Sequence, residues 1–157
     1  LAIHLNDEQT SHVLELEKLH AWACELTTAM ALGTGAEWSL SFVDESTIQG
    51  LNLDYRGIDD PTDVLSFPLM EGTQMPAVVQ EGLQLLGDVV IAPAIAARQA
   101  LERGHTLDDE LALLMAHGLL HLLGYDHDTP ENKDRMWDQQ AFLLSRLGVV
   151  VHNFGDD

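Results

Sequence analysis

His117-Gly-Leu-Leu-His121-Leu-Leu-Gly124-Tyr-Asp-His127 is the run from which the rest of the chain can be read. Its three histidines take positions 1, 5 and 11, with a glycine at position 8. Residues four apart lie on one face of a helix, so His117 and His121 project together. Gly124 lets the chain turn back and swing His127 round as a third ligand. Three neutral imidazoles leave the fourth position of a tetrahedral zinc open for water or substrate, whereas a structural zinc is closed by a fourth side chain. The run therefore predicts a reactive metal site. Unpaired imidazoles in so apolar a helix would cost hydrogen-bond energy, and a metal removes that cost. The other five histidines, His4, His12, His20, His105 and His152, stand singly and read as polar residues at boundaries.

Outward from this run, Thr106 and Asp109 form a weak capping-box pattern before a helix from Leu107 to Leu123, with Gly124 as its C′ residue. Thr129 caps, and Pro130 opens, a last helix that runs to Leu147 and closes at Gly148. Its apolar face, Met136, Leu143, Leu144 and Leu147, is broken by Gln140. Upstream, Pro93 starts a helix to about Arg103. Leu85 to Ile91 reads as a buried strand despite Asp88, and residues 70–82 as a surface excursion marked by Gly72, Pro76 and Gly82. Val64 to Phe67 is a strand stopped by Pro68. Residues 52–63 form a polar loop, and Asp44 to Leu53 a short helix or turn. Trp38, Leu40 and Phe42 alternate with polar residues as a half-buried strand. Ser11 to Leu32 is helical through Leu16, Leu19, Ala23, Leu26 and Met30, and ends at Gly33 and Gly35. Residues 1–5 give a short first strand, and residues 149–157 are left unplaced. With no repeat and no linker, residues 1–157 read as a single α+β domain, a small mostly parallel or mixed sheet packed with helices.

A chain of 157 residues, 46% apolar, can bury a real core. Its net charge is −19, from 7 basic and 26 acidic side chains. So acidic a surface excludes general binding of nucleic acid over the whole molecule; a polyanion must be held by a local basic cluster, a metal or a partner. The basic residues are scattered along the sequence. No Lys/Arg block and no aromatic motif of the known RNA modules occurs. Cys24, the single cysteine, reads as a buried helix residue and excludes an internal disulfide or a cysteine-based metal site. The first residues lack the pattern of a signal peptide, and the apolar stretch Leu111 to Leu123 is too short to span a bilayer, so a soluble, cytoplasmic protein is expected.

The histidine spacing resembles the metzincin pattern His-Glu-x-x-His-x-x-Gly-x-x-His, but Gly118 stands where that pattern has glutamate. The glutamate is the base that takes a proton from zinc-bound water. No acidic residue lies between Glu110 and Asp126 to replace it. A closer likeness is to the YbeY family of metal-dependent endoribonucleases. It is carried by the histidine run, by Leu51-Asn-Leu-Asp-Tyr-Arg56-Gly with Pro61-Thr-Asp-Val-Leu-Ser-Phe-Pro68, and by Leu86-Gly-Asp88-Val-Val-Ile91, in that family's order. The resemblance implies a zincin-like fold around a central metal-binding helix, with zinc on His117, His121 and His127. It places the family's functional arginine on Arg56. It also implies a single-strand-specific endoribonuclease that matures ribosomal RNA, especially the 3′ end of the small-subunit RNA, and takes part in ribosome quality control. The implied partners are ribosomal RNA and the small ribosomal subunit, together with a protein supplying basic surface; neither DNA nor a membrane is expected.

In that reading Arg56 grips phosphate through its planar guanidinium, against the alternative of a surface pair with Asp54, Asp59 or Asp60. His117 serves catalysis as a ligand of the reacting metal. Asp126 either takes a proton from a metal-bound water or fixes the turn and orients a histidine; the 2′-hydroxyl of RNA is an alternative nucleophile. Asp88, inside an apolar strand, is expected to hold a ligand imidazole. Ser66 and Thr62 are candidates to line the groove. A metallopeptidase-like hydrolase, or an assembly factor with a mainly structural zinc, remain the rival readings.

Overall fold

The computed structural model describes residues 2–69 and 84–151. The expected excursion at 70–82, His152 and the end of the tail lie outside the described residues. The elements are β1 (Ala2–Glu8), α1 (Leu16–Ala29), β2 (Ala36–Val43), α2 (Glu45–Arg56), β3 (Val64–Pro68), β4 (Gln84–Ile91), α3 (Pro93–Arg103), α4 (Leu107–Leu122) and α5 (Pro130–Arg146). The sheet is mixed, in the order β1-β2-β4-β3. β1, β2 and β4 run parallel, and β3 is an antiparallel edge on β4.

Alternation along the strands supplies two apolar faces. Val89 and Ile91 of β4 join Trp38, Leu40 and Phe42 of β2 in the main core with α1 and α4, while Val90 packs with Leu65 of β3 and Ile48 of α2 in a second cluster. Helices therefore cover both faces. α4 is the central element. Leu111, Met115 and Leu119 meet the main core, while Ala112 and Leu113 pack with Leu144 of α5 and Val149 in a third cluster. A helix enclosed on all sides is apolar all round, which is why α4 shows no polar stripe.

The boundaries follow local chemistry. Thr106 Oγ1 accepts from the Asp109 backbone N–H at 3.1 Å, and the Asp109 carboxylate accepts from the Thr106 N–H, so the expected capping box forms. Thr129 caps α5 by accepting from the Asn132 N–H. α1 starts at Leu16 rather than Ser11, because buried Gln9 captures the intervening backbone: its Oε1 accepts from the His12 N–H and its Nε2 donates to the His12 carbonyl. α2 extends through residues expected to be loop. Gly57, at φ 72°, closes it: its N–H donates to the Leu53 carbonyl, and the Ile58 N–H donates to the Asn52 carbonyl. Arg56 is thus the last residue of a helix. Cys24 is only half-buried.

At Gly87 (φ 134°) the pairing of β2 with β4 shifts register, and an added Cβ would lie 2.3 Å from the Phe67 carbonyl oxygen. Glycine is needed there for β3 to approach β4.

Candidate metal centre and groove

α4 brings His117 and His121 one above the other, with their Nε2 atoms 3.1 Å apart. Gly124, at φ 94°, turns the chain, and Asp126 Oδ1 accepts from the His127 backbone N–H at 2.7 Å, fixing the return loop. One ligand nitrogen from each of His117, His121 and His127 then falls within 4.8 Å of the others, and all three residues are half-buried. Tetrahedral zinc with bonds of about 2.0–2.1 Å places its ligands about 3.3 Å apart, so the donors present fit that ion. Two imidazole nitrogens 3.1 Å apart need a shared cation or proton between them. Burial and the neighbouring His117 and His127 rings push His121 from its ordinary pKa of 6.5 down to about 4, against the opposing pull of Asp126. At neutral pH His121 therefore presents a lone pair, the form a metal takes.

The site opens into a groove of about 1060 Å³, lined by the three histidines, by Asp126, and by Thr62 and Ser66 as expected. Arg56, Arg103 and Arg135 line the same groove. Three of the chain's five arginines, dispersed in sequence, are thus gathered on one cavity. Arg56 forms no ion pair among the described residues, so the expected alternative partners Asp54, Asp59 and Asp60 do not hold it. Arg103 is tied at 2.6 Å to Glu110, which is fully buried and also meets His105 at 2.5 Å. His105 is therefore a hydrogen-bond partner of a buried carboxylate and not the boundary residue expected.

Asp88 does not orient a histidine. Its side chain is exposed and accepts from the Ser39 hydroxyl on the neighbouring strand. It shares a face of β4 with Val90 but lies two residues outside the second cluster, where the side chain stays exposed, so it needs no buried partner. The imidazole partner is Gln140, whose Oε1 lies 2.5 Å from His117 Nδ1. Trp137, one turn earlier on α5, sets its ring edge-on to His117 and His127 at centroid distances of 6.0 and 5.7 Å. The sequence signal for this wall was the polar break at Gln140 in an apolar helix face.

Gly118 has a positive reason. A Cβ built on it would lie 2.6 Å from Val89 Cγ1 and 3.4 Å from Ser66 Oγ, and Ser66 donates to the Gly118 carbonyl at 3.1 Å. The metal helix presses on the sheet where a metzincin glutamate would start, so that carboxylate has no room.

Residues 3–148 match the family model described as Endoribonuclease YbeY. Among curated relatives, the Endoribonuclease YbeY of Moorella thermoacetica is 44% identical over 92% of this chain and 96% of its own length. That of Desulforamulus reducens is 53% identical over 73% of this chain and 74% of its own length. Among solved structures, the solution structure of TM1509 from Thermotoga maritima superposes with a TM-score of 0.63 at 29% identity, covering 92% of this chain and 88% of that one.

Proposed function

The chain belongs to the YbeY endoribonuclease family, and from that premise we propose that it is a zinc-dependent endoribonuclease acting on single-stranded ribosomal RNA. The observation that carries this reading is the meeting, in one groove, of three imidazole donors and Arg56, which holds no ion pair among the described residues. The proposed substrate is the 3′ region of small-subunit RNA, with the small subunit, or a protein on it, supplying the positive surface that a chain of net charge −19 lacks. We place this work, and a part in ribosome quality control, in the cytoplasm; no helix among the described residues is long and apolar enough to cross a membrane.

Zinc bound by His117, His121 and His127 would polarise a phosphoryl oxygen and make a water molecule more acidic. The other functions belong to the chain. Arg56, on the last turn of α2, offers a two-pronged contact to the phosphate and balances charge that builds on it. Asp126 holds the third ligand's loop through Oδ1 and keeps Oδ2 for a proton from the attacking hydroxyl. RNA brings its own 2′-hydroxyl, which a peptide does not; with Gly118 pressed on Val89, the usual route of zinc peptidases is closed.

The deciding experiment measures zinc content and cleavage of small-subunit precursor RNA, of intact subunits and of casein, with His117→Ala run beside each to exclude contaminating nuclease. The expected result is one zinc per chain and RNA cleavage that disappears in the variant. A 2′,3′-cyclic phosphate end reports attack by the 2′-hydroxyl; a 5′-phosphate reports hydrolysis by water. Casein turnover that needs His117, with no RNA cleavage in any setting, would overturn the proposal.

A further inference from the structure

Behind the metal site lies a group that none of these steps uses. Gln140 is 1% exposed and sits among Met136, Leu143 and Leu144 on the inner face of α5. A buried carboxamide in an apolar stripe costs free energy unless it is hydrogen-bonded, and leucine there would pack without that cost. Its bond is to His117: Gln140 Oε1 lies 2.5 Å from His117 Nδ1. An amide oxygen only accepts, so Nδ1 must carry the proton. The lone pair of the neutral ring then sits on Nε2, the atom that faces His121 Nε2 across 3.1 Å. Trp137, against the faces and edges of two of the three rings, limits their rotation.

We infer that Gln140 is the positioning residue of the metal centre: from α5 it holds His117 as the Nδ1–H tautomer with Nε2 aimed at the ion, and so sets the affinity for zinc. The inference rests on the zinc reading above. It also makes α5, which donates no ligand, part of the site.

The test uses the wild-type chain with Gln140→Leu, Gln140→Met and Gln140→Glu. Long-range 1H–15N NMR of the metal-free wild type should show His117 protonated on Nδ1, and a mixture of tautomers in Gln140→Leu. Zinc affinity, measured by competition with a chromophoric chelator, should fall about 10–100-fold in Gln140→Leu and Gln140→Met, the range for losing a partner behind a metal ligand. Gln140→Glu keeps an acceptor and should bind as tightly as wild type or more so. The metal-free Leu variant should melt no lower than wild type, which a merely structural role would not allow. His117 protonated on Nε2 in the wild type, or unchanged zinc affinity in the Leu and Met variants, would overturn the inference while leaving the zinc reading intact. A wild-type chain that takes up no zinc overturns both. The tautomer measurement needs no variant, so a Leu protein that fails to fold does not shield the inference.

Discussion

At the scale of single residues, the site depends on what each group can do that a near neighbour cannot. Arg56→Lys keeps the charge and loses the planar fork. Losing hydrogen bonds to a charged group typically costs about 1.5–3 kcal/mol, so activity should fall roughly 10–100-fold. Zinc content and melting temperature should stay as they are, because Arg56 holds no ion pair among the described residues. Equal turnover by the two proteins would take Arg56 out of the mechanism. Asp126→Asn retains an oxygen for the His127 N–H but cannot take a proton, so kcat should drop about 10²-fold or more with zinc still bound. An unchanged kcat would assign Asp126 to the turn alone. His121 sets a pH dependence in the metal-free protein. Its pKa is about 4 when folded and near 6.5 when unfolded, so between those values the unfolded chain binds more protons. Stability is then fullest above pH 6.5 and falls as the pH drops towards 4, by an amount on the order of 3 kcal/mol. Denaturant titrations of wild type and His121→Asn at several pH values test this; parallel pH curves would sink it.

At the scale of elements, the contact that matters is α4 on β3 and β4. Gly118 and Val89 meet with no space for one methyl group, and Ser66 fastens the same point to the helix backbone. Gly118→Ala should therefore destabilise the fold despite alanine's better helix propensity. Overpacking costs roughly 1–3 kcal/mol, or about 2–10 °C in Tm for a chain of this size. Thermal unfolding of the metal-free and zinc-loaded variant gives the answer. A melting temperature at or above wild type would mean that α4 can lift from the sheet without loss. α5 contributes from the other side: Trp137 and Gln140, three residues apart, both face the histidines. The metal helix is thus held between a sheet that excludes a carboxylate and a helix that orients an imidazole.

At the scale of the whole molecule, an acidic body carries one groove lined by Arg56, Arg103 and Arg135. Arg103 is already neutralised by Glu110, which leaves about two guanidinium groups for phosphate. Each phosphate neutralised on a single strand contributes about −0.7 to the slope of log K against log salt, so naked RNA should bind weakly with a slope of about −1.4. Arg56→Gln should reduce that slope by about 0.7. A slope steeper than about −4 would reveal a basic surface that the described residues do not contain.

The helices and strands near the histidine run were legible because they depend on nearby residues: the Thr106 and Thr129 caps, the Gly124 turn, and the alternation in Trp38, Leu40 and Phe42. The histidine cluster was legible for the same reason, since one helical turn and one glycine bring His117, His121 and His127 together. The length of α2 was harder to read, because its final turn, Leu53 to Arg56, is exposed and buries no side chain, and its end is set by the Gly57 cap. Three matters were decided only by the tertiary structure. The exposure of Asp88 depends on how far the second cluster extends along its face of β4. The partner of His117 comes from 23 residues away on a different helix. The gathering of Arg56, Arg103 and Arg135 depends on how α2, α3 and α5 pack around the metal helix. Spacing along a chain specifies neighbours one turn away; which distant side chains share a cavity is set by packing, where burial and exclusion act on the whole fold at once.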